Sequence, residues 1–156
     1  MKTLRNWSMT FALSLVLAAG AARAQGVQHV VSVGGPDQDA TNHTDANFSL
    51  VAIQYADGSV KGQWSDQFGQ GEGGIHVAIN CLFVQGNQAW VSGFITSGTF
   101  GGADLSGLPV ITRVQDNGGG NSPDAISFSF IGNAAACTTA PNLALQPMSS
   151  GQVNVL

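Results

Sequence analysis

The sequence predicts an all-β fold: a single antiparallel meander of about eight strands, closed into a β-barrel rather than folded into a sandwich. Apolar and polar residues alternate along many short runs, and glycine-rich turns separate these runs. After residue 24, no stretch has helical periodicity over more than one turn. We prefer a barrel because closure removes the exposed sheet edges through which β-rich chains aggregate.

The longest pair of predicted strands lies at 73–96, around the two-residue turn Gly86-Asn87. Both turn residues can take the positive φ angles that a tight hairpin needs. With this turn as the loop, four cross-strand pairs are expected, namely Phe83 with Trp90, Leu82 with Val91, Cys81 with Ser92 and Ile79 with Phe94. Both faces of the hairpin then carry apolar side chains, which predicts a central position in the sheet.

A second hairpin is predicted around Asp57-Gly58, the strongest short-range hairpin signal in the chain. With these two residues as the loop, the core face is expected to pair Tyr55 with Val60, Ile53 with Gly62 and Val51 with Trp64. Leu50 and Ala52 then lie on the mostly solvated face. The strand candidates besides the central hairpin are Val27–Val33, Phe48–Ala56, Ser59–Asp66, Leu108–Gln115, Ala125–Ile131 and the C-terminal residues Val153 and Val155.

The first 24 residues have the features of an export signal. A positively charged start precedes the apolar run 9–19, and Ala22-Arg23-Ala24 is a cleavage site of small residues. The apolar run is too short to span a bilayer, which takes about 20 residues per helix. We therefore expect a mature protein that begins at Gln25, forms one domain over 25–156, and is exported to the periplasm or outside the cell.

Export also changes the charge balance of the chain. Loss of the signal removes three of the five basic residues and leaves Lys61 and Arg113 against nine acidic residues, a net charge of −7. Two cations cannot neutralise a phosphate backbone, so nucleic acid is excluded as a partner. The same balance excludes an anionic membrane surface, and no membrane span is expected after cleavage.

Two cysteines, Cys81 and Cys137, remain after export. In an oxidising compartment they are expected to form one structural disulfide. Closing a loop of this length would stabilise the fold by roughly 3 to 4 kcal/mol through the unfolded state. The alternative is a pair of buried free thiols.

Three blocks of the sequence stand out as motifs: DGSVKGQW at 57–64, GGIHVAINCLFVQGNQAWVSGFITSG at 73–98 and RVQDNGGGNSPDAISFSF at 113–130. Together they resemble a family of small bacterial exported β domains whose function is not established. The resemblance covers about half of the chain after residue 24. It implies a shared β fold, the cysteine and export, and it brings no catalytic motif.

The three histidines, His29, His43 and His76, have no spacing that is typical of a zinc site or a catalytic motif. His76 is expected to be a partly exposed histidine on a strand. Calcium is the better candidate, because acidic and glycine-rich loops offer oxygen ligands. Its predicted ligands are Asp37 and Asp39 in one loop, and Asp116 and Asp124 in another, with Asn117 and Asn121 as further donors. Asp and Asn also occur in turns because their side chains bond to the local backbone, so we assign no cofactor and keep calcium as a possibility.

Aromatic residues divide into a predicted core and a predicted binding rim. The expected core residues are Tyr55, Trp64, Phe83, Trp90 and Phe94. Phe68 and Phe100 are expected in glycine-rich loops, where they either cap the barrel or line its mouth, and we choose them as the binding rim.

No nucleophile elbow of the G-x-S-x-G type is present, so no catalytic residue is assigned. We therefore expect an exported, non-enzymatic binding or interaction module, whose partner is an unknown protein, a glycan or a small apolar ligand. One alternative is a lipocalin-like carrier that holds a small apolar ligand inside the barrel. The other is a metal-dependent extracytoplasmic enzyme.

Overall fold

The computed structural model describes residues 26–36, 47–119 and 122–156, and it holds one antiparallel sheet of eleven strands. In chain order the strands are β1 (Val27–Gly35), β2 (Asn47–Tyr55), β3 (Val60–Phe68), β4 (Gly73–Gln85), β5 (Gln88–Phe100), β6 (Ala103–Asp104), β7 (Pro109–Gln115), β8 (Ala125–Ser127), β9 (Phe130–Ile131), β10 (Leu145–Pro147) and β11 (Gln152–Val155). Within these ranges the helical segments are two 3-10 turns, Gly69–Gly71 and Cys137–Thr139. The prediction of an all-β fold is confirmed.

Several predictions fall outside the described residues. They are the signal peptide at 1–24, the start of the mature chain at Gln25, and the proposals for Asp37, Asp39, His43 and Asn121.

The sheet curls into a half-barrel rather than closing on itself. Its strands follow the order β10-β8-β7-β5-β4-β3-β2-β1-β11, with β6 beside β5 and β9 beside β7. The predicted closed barrel of about eight strands is therefore wrong in both respects. Within the described ranges, no ladder joins the terminal strands β10 and β11 to each other. The additional strands β6, β9 and β10 have two or three residues each, too few to show an alternating pattern.

The β4–β5 hairpin has the predicted turn, with Gly86 at φ 61°. The predicted pairs Phe83 with Trp90, Leu82 with Val91 and Cys81 with Ser92 are confirmed. The pair of Ile79 with Phe94 is wrong, because a β-bulge at Asn80 places Ile79 opposite Gly93. As a result, Ile79 lies on the face of the sheet opposite to Cys81.

The β2–β3 hairpin is shifted by one residue from the predicted register. Its loop holds three residues, 56–58, and Gly58 takes a φ of 82° there. A shift of one residue moves every side chain of a strand to the other face. Leu50 and Ala52 are therefore fully buried and Val51 is 45 % exposed, which reverses the faces predicted for β2.

The two faces of the sheet bury separate groups of side chains. The main hydrophobic cluster lies on one face, which we call the inner face, and its largest members are Phe48, Leu50, Trp64, Ile75, Ile95 and Ile126. A smaller cluster lies on the opposite, outer face and contains Trp90, Ile111, Cys137 and Leu143. Strands β4, β5 and β7 are thus covered on both faces over part of their length, which confirms the central position of the β4–β5 hairpin.

Candidate functional site

One half of the outer face is covered by residues 132–144, which we call the cover segment. The Cys81–Cys137 disulfide ties this segment to β4, with the two Cα atoms 6.1 Å apart, and it confirms the predicted cysteine pair. The Trp90 indole Nε1 donates a hydrogen bond to the carbonyl oxygen of Pro141 at 2.8 Å. Trp90 is only 4 % exposed as a result, so this half of the outer face is closed to a ligand.

Lys61 and Arg113 are the two lysine or arginine residues in the part of the chain that the structure describes, and both make an intramolecular contact. The Arg113 guanidinium lies 5.0 Å from the centre of the Trp90 ring and donates to the carbonyl oxygen of Leu143 at 3.0 Å. The Lys61 ammonium lies 5.8 Å from the centre of the Tyr55 ring. Arg113 therefore helps to hold the cover segment on the sheet.

The other half of the outer face, which we call the bare half, lies on β2, β3, β4 and β5. The register of these strands arranges its residues in three rows: Asn47, Gln67, Gly74 and Thr99 in the first, Ser49, Ser65, His76 and Ser97 in the second, and Val51, Gln63, Ala78 and Phe94 in the third. Ser65 and Gly74 are half-buried and the others are exposed. The first two rows present small, amide and imidazole side chains on the paired strands, and the third row ends in the apolar side chains of Val51 and Phe94.

Two shallow grooves of about 430 and 520 Å³ cross the bare half and meet at Ser65 and His76. The first groove also has Gln63 in its lining, and the second has Gln67 and Thr99. Because Ser65 and His76 are direct cross-strand partners, the backbone ladder rather than a loop positions the centre of these grooves.

No carboxylate, ammonium or guanidinium group opens into these grooves from the described residues. Asp66 borders the second groove, but its side chain lies on the inner face, 3 % exposed, and accepts a hydrogen bond from the Ser129 hydroxyl at 2.5 Å. Ser129 lies where the predicted strand Ala125–Ile131 is interrupted. The strand ends at Ser127, and pairing resumes at Phe130. The lining of the grooves therefore combines hydroxyl, amide and imidazole groups with apolar surface, and among the described residues it carries no carboxylate, ammonium or guanidinium group.

Ser65 and His76 are also the place to look for nucleophilic catalysis, because they are neighbours on one face. A serine becomes a nucleophile when a base accepts its proton and a third group orients that base. Among the described residues, no hydrogen bond joins the Ser65 hydroxyl to the His76 imidazole or joins that imidazole to an acid.

His29 is the other histidine among the described residues, and the structure does not bring it to His76. His29 lies on β1, with Nδ1 3.3 Å from the carbonyl oxygen of Leu156. Within the described ranges, no three His, Cys, Asp or Glu side chains come together as a metal-binding group.

Asp116 and Asp124, predicted as calcium ligands, fasten the C-terminal strand to the loop between β7 and β8. Asp116 accepts the amide of Val155 at 3.1 Å and the amide of Gly118 at 2.8 Å. Asp124 accepts the amide of Val153 at 2.6 Å and that of Asn117 at 2.8 Å. These amides of β11 face away from β1, so the two carboxylates cap an edge of the sheet beside which the described residues place no further strand. Calcium binding stays a prediction.

Phe68 and Phe100, the predicted binding rim, contact each other. Their ring centres are 5.6 Å apart in an edge-to-face arrangement. They are the last residues of β3 and β5 rather than loop residues, and Gly73 is the cross-strand partner of both. Phe100 is 51 % exposed. Their role as a rim stays a prediction.

The predicted aromatic core is confirmed only in part. Trp64 and Trp90 are 1 % and 4 % exposed, but they belong to clusters on opposite faces. Tyr55 and Phe83 are half-buried. Phe94 is 51 % exposed, so its assignment to the core is wrong. Phe94 is exposed because it lies on the outer face, beyond the part that the cover segment covers.

Sequence reasoning did not select the bare half as a site. The one-residue error in the predicted β2–β3 register reversed the faces of β2, so the solvated residues of that strand were not recognised. The signal that was available is a run of uncharged polar residues with period two on neighbouring strands, as in Asn47 and Ser49, and in Gln63, Ser65 and Gln67.

Comparison with known proteins gives no relative for this chain: no family model, no curated protein and no solved structure matches it. A separate search of the described residues for a helix of sufficient length and hydropathy to cross a membrane found none.

Proposed function

We propose that this chain is an exported, non-enzymatic binding module whose ligand lies across the bare half of the outer face. The observation that carries the proposal is the pair of adjoining grooves that share Ser65 and His76. Side chains on the inner face pack into the main cluster, and the cover segment closes the other half of the outer face. The bare half is the surface that offers polar groups in a fixed arrangement.

A rigid site of this kind binds with little loss of conformational entropy. Serine and threonine side chains have few rotatable bonds, and those of the bare half stand on the paired strands β2 to β5. Ligand affinity benefits when the protein groups are held in place before binding. This preorganisation supports the proposal of a binding module.

Export is supported by the cysteine pair. Disulfides persist in oxidising compartments and are rare in the cytosol. The Cys81–Cys137 disulfide suits the periplasm or the outside of the cell, in agreement with the leader-like residues 1–24.

The proposal is tested by the His76→Arg variant, in which a long cationic side chain would fill the junction of the two grooves. Gln85→Arg is the matched control, because Gln85 is an exposed residue of the same strand and lines neither groove. Wild type and both variants are screened against immobilised oligosaccharides, peptides and lipids. We expect the ligand that wild type retains to be retained by Gln85→Arg and lost by His76→Arg. Equal retention by all three proteins would refute a site on the bare half.

A carrier of a small apolar ligand is the second proposal, and the Phe68–Phe100 pair supports it. This edge-to-face pair contributes a partly buried ring, Phe68, to the main cluster and leaves the other ring half exposed. Apolar ligands bind to aromatic linings of this type. Mass spectrometry of protein purified from its native source is expected to show a bound ligand that Phe100→Ala loses. Protein that carries no apolar compound in either form would count against the carrier.

A further inference from the structure

We infer that the ligand of the bare half is a neutral glycan chain. This inference rests on the proposed function and adds the chemical class of the ligand. It is carried by the charge, the hydrogen-bonding capacity and the extent of the two grooves.

Charge is the first argument. Apart from His76, the side chains that line the grooves are uncharged, and the one acid at their border, Asp66, turns its carboxylate to the inner face. The chain as a whole has more acids than bases, so an anionic ligand would meet repulsion without a pairing cation. A cationic ligand would find no carboxylate in the grooves to replace its hydration. A neutral ligand meets neither cost.

Hydrogen bonding is the second argument. Hydroxyl and amide side chains both donate and accept, as do the hydroxyl groups of a sugar. Within the described ranges, the hydroxyls of Ser49, Ser65 and Ser97 make no hydrogen bond to another residue. The amides of Asn47 and Gln67 meet only at 3.5 Å, the limit for a hydrogen bond. These groups are therefore available to a ligand that is rich in hydroxyls.

Extent and shape are the third argument. The grooves cross the four strands β2 to β5, which at about 4.8 Å between strands span roughly 15 Å. This length suits several linked sugar rings rather than one. Val51 and Phe94, 45 % and 51 % exposed, end the third row on opposite sides of the face. Exposed apolar groups at these positions can pack against the C–H faces of sugar rings while the serines and glutamines bind the hydroxyls.

An extended peptide is the strongest competing ligand, but it would bind differently. Peptides commonly join a sheet by adding a strand to a free edge, where backbone groups pair. The bare half is a face and not an edge. The outward amides of β11, those of Val153 and Val155, already donate to the carboxylates of Asp124 and Asp116.

The inference is tested by native gel electrophoresis through soluble polysaccharides. Neutral glucan, galactomannan and arabinoxylan are compared with anionic polygalacturonate. We expect at least one neutral polymer to retard the wild-type protein and polygalacturonate to leave its mobility unchanged. The double variant Gln63→Ala with Gln67→Ala, which removes two amides of the grooves, is expected to bind about tenfold more weakly, as the loss of one or two hydrogen bonds predicts. Gln85→Ala is the control, and thermal melting shows that each variant is folded.

Three results would overturn the inference, and they differ in what they say about the proposed function. If no neutral polymer retards the protein while a peptide or lipid binds in a way that His76→Arg abolishes, the glycan is wrong and the binding face stands. If a neutral polymer retards the double variant Gln63→Ala with Gln67→Ala as strongly as it retards the control Gln85→Ala, the glycan binds elsewhere. If the mobility changes only in polygalacturonate, the charge argument is wrong.

Discussion

Trp90 and Phe94 lie four residues apart on the outer face of the same strand, yet Trp90 is 4 % exposed and Phe94 is 51 % exposed. The difference comes from the cover segment, residues 132–144, which packs over Trp90 and stops short of Phe94. The outer face of the sheet therefore has two halves that differ in burial. One half is covered by a segment that a disulfide holds in place, and the other half is exposed to solvent.

This comparison shows that burial on the outer face is set by a distant segment and not by the strand itself. Cys137 and Pro141 reach β4 and β5 from more than fifty residues along the chain. A strand whose residues alternate regularly can thus have a core residue and a surface residue on the same face.

The largest expected effect separates the two aromatic residues. Trp90→Ala should lower the free energy of unfolding by about 3 to 5 kcal/mol, because it leaves a cavity and removes the contacts to Pro141 and Arg113. Phe94→Ala should change it by less than about 1 kcal/mol, since most of its ring already faces solvent. Urea unfolding of both variants measures the difference. Similar losses would mean that the cover segment does not distinguish the two halves.

The next effect concerns the bond that holds the cover segment. Replacing Cys81 and Cys137 together by alanine should lower the free energy of unfolding by about 3 to 4 kcal/mol, because the sequence separation of 56 makes a long loop in the unfolded chain. A reducing agent should destabilise the wild type by a similar amount and leave the double variant unchanged. Denaturant unfolding with and without reductant tests this, and a wild type that is insensitive to reduction would contradict it.

A smaller effect is expected at the edge strand β11, which pairs with β1 next to strand β2 of the bare half. Asp124→Ala leaves the amides of Val153 and Asn117 without their acceptor, which should cost roughly 1.5 to 3 kcal/mol. Asp124→Asn keeps one carbonyl oxygen and should cost less. Thermal unfolding compares them with Glu72→Ala, a change at an exposed acid whose side chain makes no hydrogen bond within the described ranges. If all three variants melt together, the carboxylate does not hold the strand.

The smallest effect is a pH dependence at two surface turns. The Ser106 hydroxyl and amide lower the pKa of Asp104, and the Ser59 hydroxyl and amide lower the pKa of Asp57. Because these pKa values lie below those of the unfolded chain, each contributes stability above the ordinary aspartate pKa of about 3.9, and this stability is lost as the pH falls through the folded pKa. Carboxyl NMR titration of Ser106→Ala should show a raised pKa for Asp104 and an unchanged pKa for Asp57. A shift at neither acid would refute the assigned cause.

Local signals predicted much of the fold. Gly86-Asn87 predicted the central turn and three cross-strand pairs, because a glycine with positive φ suits a tight hairpin. The cysteine pair followed from there being only two cysteines. These features depend on neighbouring residues or on simple counting, so the sequence alone reveals them.

Features that depend on one extra residue or on distant contacts were not predictable. The bulge at Asn80 and the three-residue loop at 56–58 have no distinct sequence signal, yet each reverses the face of a strand. The bonds from Asp116 and Asp124 to β11 join positions 39 and 29 residues apart. The bare half is recognisable only after these registers are known, because its rows draw on four strands.

The most direct test of a ligand site on the bare half is an NMR titration of isotope-labelled protein with neutral glucan, mannan and xylan oligosaccharides. We expect the backbone amide shifts to centre on Ser65 and His76 and to spread along β2 to β5, while residues 132–144 keep their positions. Shifts centred on the cover segment or on Phe68 and Phe100, or an unchanged spectrum with every oligosaccharide, would contradict this account.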